Sequence, residues 1–310
     1  MNDKSQPLLS IGVCTLDRAA DIKRLLSSLA ACPAVGRCQI LLVNNGCGET
    51  TRSVAGTQRA RLNLVYERLS RRSLGLARNR CLQMARADLL AYVDDDSVVD
   101  SGWLSSILDD FRHRDNSIVG QTGPVFPLVD GGDLPPWIPA PVAASAFSLQ
   151  DRGNLERLLA GRQSLIGNNM VYRTGFLREI GGFHHDLQNY DEAYVCWQAL
   201  AAGKALIYNP AMRSLHVVRK DRLGAEWMLR KARAQGAAYQ KLLHSLHGRI
   251  DTPSTHDLWW TWPKPVLGYA LWRLLRNRPK AFTFQYMTTF WRGRFDEYAG
   301  HRGEDDYYER

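Results

Sequence analysis

The stretch Leu89-Leu90-Ala91-Tyr92-Val93-Asp94-Asp95-Asp96 decides how this chain is read. Its five apolar residues have the length and composition of a buried strand. They run straight into three consecutive carboxylates. Grouping such acids is costly, because each raises the pKa of its neighbours unless a cation intervenes. A divalent ion with oxygen ligands, Mg2+ or Mn2+, resolves the conflict, and such ions usually also take phosphate oxygens from a substrate. The alternative is a solvated acidic turn that caps a helix starting near Gly102.

Toward the N-terminus, Gly75 to Ala87 carries a helical apolar face at Leu76, Cys81, Leu82 and Ala85. Leu62 to Tyr66, Gln39 to Val43 and Leu8 to Cys14 read as strands. Helices are expected over Asp17 to Leu29 and about Glu49 to Arg59, with a turn at Asn44 to Gly48. Strands alternating with helices imply parallel β-α-β units in a sheet covered on both faces, hence an α/β fold class. Ligands of such sheets sit beyond the carboxyl ends of the strands. Toward the C-terminus, Pro124, Pro127, Pro135, Pro136, Pro139 and Pro141 deny continuous helix, so about Gly120 to Pro141 is expected to be loop or edge strand. Order returns with a strand at Gly167 to Tyr172, a short helix, the turn Gly181-Gly182-Phe183 and a helix over about Asp191 to Ala202. Strands at Leu206 to Tyr208 and Arg213 to Val218 follow.

The 310 residues are 45% apolar and 23% charged, which argues against a disordered chain, a collagen or a polytopic membrane protein. A net charge of +9 favours polyanionic partners: nucleic acid, anionic lipid or phosphorylated small molecules. Six cysteines without a C-x2-C pair suggest reduced thiols rather than a zinc or redox site. Met1 to Pro7 is polar, unlike a signal peptide, and no apolar run approaches the roughly 18 residues of a membrane span, so a cytoplasmic location is expected. Arg222 to Arg294 differs from the rest, with 13 Lys or Arg against three acids and six of the nine tryptophans. Interleaved cations and Trp fit either helices lying peripherally on an anionic membrane or a packed helical subdomain with a solvated basic face.

The order of the pieces resembles a family 2 glycosyltransferase with the nucleotide-sugar-binding GT-A fold. The resemblance runs from about Leu9 to Val218. It rests on Ser10-Ile11-Gly12-Val13-Cys14-Thr15-Leu16-Asp17-Arg18, Val43-Asn44-Asn45-Gly46-Cys47, Gly75-Leu76-Ala77-Arg78-Asn79, the D-x-D motif Asp94-Asp95-Asp96, Gly167-Asn168-Asn169-Met170, and Gly181-Gly182-Phe183 before an acidic pair and Cys196-Trp197. The family is inverting and metal-dependent, so the resemblance implies Mn2+ or Mg2+ as cofactor and a nucleoside diphosphate sugar as donor.

Carried over by position, Thr15 and Asp17 would line the base pocket. Asn44 falls where the family usually has an Asp that accepts the uracil N3 proton; its carbonyl can still accept that bond without the charge. Arg71 or Arg72 would lie near the nucleotide, and Arg78 either reaches the same pocket or lies on a helix face. Asp96 matches the metal-binding carboxylate, and Asp94 or Asp95 the group contacting ribose. His216 matches an occasional further metal ligand, with a packed histidine as the alternative. Tyr190-Asp191-Glu192 replaces the usual Gly-Glu-Asp, which makes Glu192 the expected general base and Asp191 its neighbour. Two acids at a helix N-terminus would also satisfy the helix dipole.

The expected division is a catalytic domain over 1–220 and a basic, mainly helical region over 221–310. The expected function is transfer of a sugar, UDP-linked in the first instance, to a hydroxyl of a glycan or lipid-linked acceptor. The rival readings are a sugar nucleotidyltransferase, which would want a glycine-rich signature where Thr15-Leu16-Asp17-Arg18 stands, and a basic nucleic-acid-binding protein, for which no standard module is legible.

Overall fold

The computed structural model describes residues 6–46, 48–59, 61–161, 163–247 and 263–300. Cys47 and three of the tail tryptophans, Trp259, Trp260 and Trp262, lie outside the described residues.

The α/β expectation holds. The chain begins β1 (Ser10–Thr15), α1 (Ala19–Ala30), β2 (Gln39–Asn44), α2 (Thr50–Gln58), β3 (Leu64–Arg68), α3 (Leu74–Met84) and β4 (Leu89–Val93). Then come β5 (Ser97–Val99), α4 (Trp103–Ser105), β6 (Ile118–Thr122), β7 (Val125–Val129), α5 (Ala140–Ala146), β8 (Arg157–Leu158) and β9 (Asn169–Arg173). After these lie α6 (Thr174–Glu179), α7 (Asp191–Ala201), β10 (Ala205–Tyr208), β11 (Ser214–Val218) and α8 (Ala225–His247), with two last helices at Pro263–Leu274 and Arg278–Tyr298.

Eight strands form one sheet in the order β3-β2-β1-β4-β9-β6-β10-β8. β1 is parallel to both β2 and β4, β2 is parallel to β3 and β6 is parallel to β10, whereas β9 runs antiparallel between β4 and β6. The chain leaves β1 toward β2 and β3, then returns to β4 on the other side of β1. That reversal opens a crevice at the carboxyl ends of β1 and β4, where ligands of such sheets bind.

Period-2 alternation divides the core between the two faces. Ile40, Leu42, Ala91 and Val93 pack with Ile22, Leu25, Leu26 and Leu29 of α1 and with Trp103. Leu41, Val43, Leu90 and Tyr92 pack with Ala77 and Cys81 of α3 and with Val195 and Cys196 of α7. Gly12 permits this second layer, since a Cβ there would stand 2.9 Å from the Tyr92 ring. The Tyr92 hydroxyl donates to the Arg78 carbonyl at 2.9 Å and ties α3 to β4.

The expected loop or edge strand over about Gly120 to Pro141 is corrected at β6. β6 is an interior strand, flanked by β9 and β10. Its apolar pattern is interrupted because buried Gln121 and Thr122 use their side chains to bond the Ser106 and Asn169 carbonyls. At the end of that stretch α5 begins, with Pro139 and Pro141 at its start, where no intrahelical N–H is required.

By compactness the chain divides into Met1–Phe126 with Gln150–Val217, and Pro127–Leu149 with Val218–Arg310. The second unit has its own core, built from Val142, Ala146, Phe147, Met228, Ala232, Phe282 and Tyr286. Among the described residues no helix is long and apolar enough to cross a membrane.

Asn169 joins the pieces around β4 and β9. Its fully buried amide accepts from the Trp103 indole N–H at 2.8 Å and donates to the Met212 carbonyl at 2.7 Å. Asn169→Ala leaves both partners unpaired, and denaturant melts should show a loss of about 2–4 kcal/mol. A loss below about 1 kcal/mol would show that the two partners find other bonds.

Candidate active site

The crevice is bridged by side chains from both of its walls. Thr15, the last residue of β1, donates its hydroxyl to Asp95 Oδ2 at 2.6 Å. Two residues on, Asp17 adopts a left-handed backbone, φ 56°. This conformation costs about 1–3 kcal/mol for a residue with a Cβ. Asn44, at the end of β2, holds it: the Asn44 carbonyl accepts from the Asp17 and Gly46 amides, and its NH2 donates to Asp17 Oδ1 at 2.8 Å. A Cβ at position 46 would lie 2.2 Å from Asp17 Oδ2, so any larger residue there would displace the Asp17 carboxylate. Thr15, Asp17 and Asn44 therefore converge as expected, and Asn44 spends its carbonyl on the turn that presents Asp17.

The three aspartates differ in their surroundings. Asp95 and Asp96 are buried, while 38% of the Asp94 side chain is exposed. Burial, reinforced by Asp96, pushes the Asp95 carboxyl up to about 7 against the pull of Arg18. Burial likewise raises Asp94 above the usual carboxylate range. Arg18 was not singled out by sequence. Its Nη1 lies 3.0 Å from Asp95 Oδ1 and 3.3 Å from Asp96 Oδ2, so one guanidinium offsets two buried charges. Its place directly after the strand-end Thr15-Leu16-Asp17 was the available signal.

His216 reaches the same cluster through the sheet. On β11 it pairs in register with Ser97 of β5, and Val217 donates its amide to the Asp96 carbonyl. These contacts bring His216 Nε2 to 3.1 Å from Asp96 Oδ1. Among the described residues no set of three or more His, Cys, Asp and Glu side chains is arranged to hold an ion. The adjoining oxygen and nitrogen of Asp96 and His216 nevertheless form a pair of donors suited to a hard or borderline divalent ion that draws its remaining ligands from phosphate and water.

The opposite wall comes from α3 and α7. Ser73 caps α3 by accepting the Leu76 amide. One turn in, Arg78 is buried, with its guanidinium 5.5 Å from the Phe183 ring centre. It pairs with Asp191 Oδ2 at 2.5 Å, donates to the Gly167 carbonyl at 3.2 Å, and stands 3.7 Å from Asp94 and 3.8 Å from Glu192. Burial alone would discourage its charge, but Asp191, Asp94 and Glu192 outweigh that and hold its pKa above the ordinary value. Arg78 therefore reaches into the site rather than lying on an exposed helix face.

Asp191 and Glu192 open α7 after Tyr190, which has a left-handed φ of 64° where the resemblance would place a glycine. Asp191 is buried, and among the described residues its Oδ1 accepts no hydrogen bond. Glu192 keeps 21% of its side chain exposed. Burial first, then Asp191, pushes its carboxyl up to about 8 despite the pull of Arg78. Arg71 and Arg72 stand apart, exposed in the loop before α3 and outside every ion pair of the site. Chemically, the crevice offers a carboxylate cluster beside a carboxyl whose pKa is raised to about 8.

Comparison with known proteins gives a consistent picture. The family described as glycosyl transferase family 2 matches residues 10–181. The succinoglycan biosynthesis protein ExoM of Rhizobium meliloti is 24% identical over 271 residues, covering 84% of this chain and 80% of that protein. The pre-mycofactocin glycosyltransferase of Mycobacterium tuberculosis is 28% identical over 167 residues, which is 52% of this chain and 33% of that protein. Among solved structures, the mannosyltransferase PcManGT of Pyrobaculum calidifontis, in complex with GDP-Man and Mn2+, superposes with a TM-score of 0.63 at 15% identity, covering 95% of this chain and 88% of that one. GalNAc-T7 with UDP, GalNAc and Mn2+ gives a TM-score of 0.54 at 14% identity, over 82% of this chain and 53% of that one. These likenesses show the fold.

The buried Arg78–Asp191 pair generates a stability prediction. Arg78→Met leaves Asp191 charged and unpaired and should cost about 3–5 kcal/mol in denaturant melts, while adding Asp191→Leu should restore part of that loss. Purely additive losses in the double variant would show that the two side chains are not energetically coupled.

Proposed function

The chain belongs to glycosyl transferase family 2, and from that premise we propose that it moves a sugar from a nucleoside diphosphate donor, UDP-linked in the first instance, to a hydroxyl of a glycan or lipid-linked acceptor, with inversion at the anomeric carbon. The observation that carries this reading is Arg78, one guanidinium within ion-pair distance of Asp94 on the donor side and of Asp191 and Glu192 on the acceptor side. A single buried cation thereby holds two groups of carboxylates at a fixed separation.

In this reading Thr15, Asp17 and Asn44 shape the base pocket, with Asp94 or Asp95 contacting the ribose. Asp96 and His216 would hold a divalent ion, Mn2+ or Mg2+. When bound, that ion supplies Lewis-acid stabilisation of the departing diphosphate. The Mn2+ complexes of the mannosyltransferase and of GalNAc-T7 support this choice. Arg71 or Arg72, on an exposed loop, would lie near the nucleotide. Glu192 accepts the proton of the acceptor hydroxyl as its oxygen attacks the anomeric carbon. Asp191, locked to Arg78, positions Glu192 and repels its negative form. The five described cysteines, all free thiols, accord with a reducing compartment such as the cytoplasm.

Calorimetric titration tests the donor side. Asp96→Asn should abolish the Mn2+ dependence of nucleoside diphosphate binding and leave the fold intact, whereas unchanged dependence would remove Asp96 from the ion's site.

Kinetics test the base. Glu192→Gln should lower kcat about 10²- to 10⁴-fold with donor affinity nearly unchanged, and Asp191→Asn should cost less. Because the Glu192 carboxyl is raised to about 8, it is protonated below that value and cannot accept a second proton. The kcat/KM of the free enzyme should therefore rise as pH climbs through about 8. Removing the Asp191 charge should move this limb to lower pH. A limb that persists in Glu192→Gln would assign it to another group.

A further inference from the structure

The sequence draws attention to tryptophans in the basic tail, yet the described ones are engaged by protein neighbours. Trp227 stacks on Phe147 at 5.8 Å, Lys280 Nζ sits 4.0 Å over the Trp272 ring, and the Arg294 guanidinium lies 4.6 Å from the Trp291 ring. A different set of apolar side chains faces solvent, on the helix Pro263–Leu274 and the residue after it. Leu267 is 68% exposed, Leu271 51%, Leu274 81%, Leu275 57% and Val266 42%.

Their spacing makes them a face. At 3.6 residues per turn, about 100° per residue, Val266, Ala270, Leu274, Leu267, Leu271 and Leu275 fall in sequence around one half of the helix. The other half meets the protein. Pro265 is buried, and Gly268 lies so close to the Phe284 ring that a Cβ there would stand 2.5 Å from it. The exposed half is thus an apolar surface, with Lys264 at its first turn, built on a helix anchored from behind.

Charge selects the occupant. Residues 263–295 contain Lys264, Arg273, Arg276, Arg278, Lys280, Arg292 and Arg294, and no Asp or Glu. Lys264, Arg273, Arg276, Arg278 and Lys280 are exposed, on this helix and the turn and helix start that follow it. A second copy of the same face would set these cations against their own kind. Nucleic acid would satisfy the cations and leave the leucines in water. A bilayer with anionic head groups meets both, since acyl chains take the leucines while the cations stay at head-group depth.

We propose that this helix face is a peripheral membrane anchor, inserting Leu267, Leu271 and Leu274 into the interface of an anionic bilayer and gripping it with Arg273, Arg276, Arg278 and Lys280. The anchor is independent of the transfer reaction, although it suits an acceptor carried on lipid.

Flotation of the full chain with phosphatidylcholine vesicles, with and without phosphatidylglycerol, tests it. The protein should rise with the phosphatidylglycerol vesicles and do so less as salt increases. Leu271→Glu and Leu274→Glu replace exposed residues, so both variants should stay folded. Each should lower the partition coefficient about tenfold or more. Arg273→Glu with Arg276→Glu should abolish the preference for phosphatidylglycerol. Retention of the leucine variants equal to that of the native chain would overturn the proposal, as would failure of the native chain to float. A lipid-free dimer in light scattering that Leu271→Glu dissociates would assign the face to a second copy instead. Donor turnover to free diphosphate, followed in the same variants without vesicles, should not change. Its absence in the native chain would count against the transferase reading and leave the anchor standing.

Discussion

A buried arginine cannot lose its proton, so everything packed around Arg78 must answer a fixed positive charge. Desolvating that charge is costly, and the Asp191 carboxylate at 2.5 Å and the Gly167 carbonyl at 3.2 Å repay the cost. These partners lie 113 and 89 residues away in sequence. Meeting them fixes the first turn of α7 and the approach to β9 against α3. Asp94 and Glu192 then stand on either side of the same guanidinium, and the two chemical halves of the site share one origin of position. The arrangement keeps Arg78 and Asp191 buried and leaves Asp94 and Glu192 partly exposed.

A second electrostatic constraint follows from the strand end. Asp95 and Asp96 are both buried, and Arg18 stands between them as a partial counter-charge, with Thr15 and His216 taking the remaining oxygens. Such a cluster is balanced for exchange of partners. In the proposed reading Asp96 and His216 would hold a divalent ion, with Arg18 paired to Asp95. The left-handed Asp17 and Tyr190 border the two walls of the same crevice. Strain of this kind persists only where surrounding contacts over-determine it, as Asn44 does for Asp17.

Much of this was legible from sequence because strand ends and helix starts carry local signals. The alternation of apolar strands and amphipathic helices from Leu8 to Val93 gave the sheet, and Asp94-Asp95-Asp96 marked the carboxylate cluster at the end of β4. What stayed hidden was long-range and polar. β6 escaped notice because Gln121 and Thr122 are buried on long-range bonds to the Ser106 and Asn169 carbonyls, partners that sequence does not reveal. Arg18 looked like any arginine at a helix start until the fold set it against two carboxylates. The pairing of Arg78 with Asp191 was equally invisible, since neither spacing nor periodicity links α3 to α7. In the tail, composition pointed to aromatic rings, whereas the exposed apolar face consists of leucines whose helical register only a structure displays.

The central claim is that the crevice between β1 and β4 binds a nucleoside diphosphate through an ion held by Asp96 and His216. Anomalous diffraction at the manganese edge, from crystals grown with UDP and Mn2+, tests it most directly. The account predicts one strong peak beside the Asp96 carboxylate and the His216 imidazole, with both phosphates against it. A diphosphate bound elsewhere, or bound in this crevice with no manganese at Asp96, would contradict it.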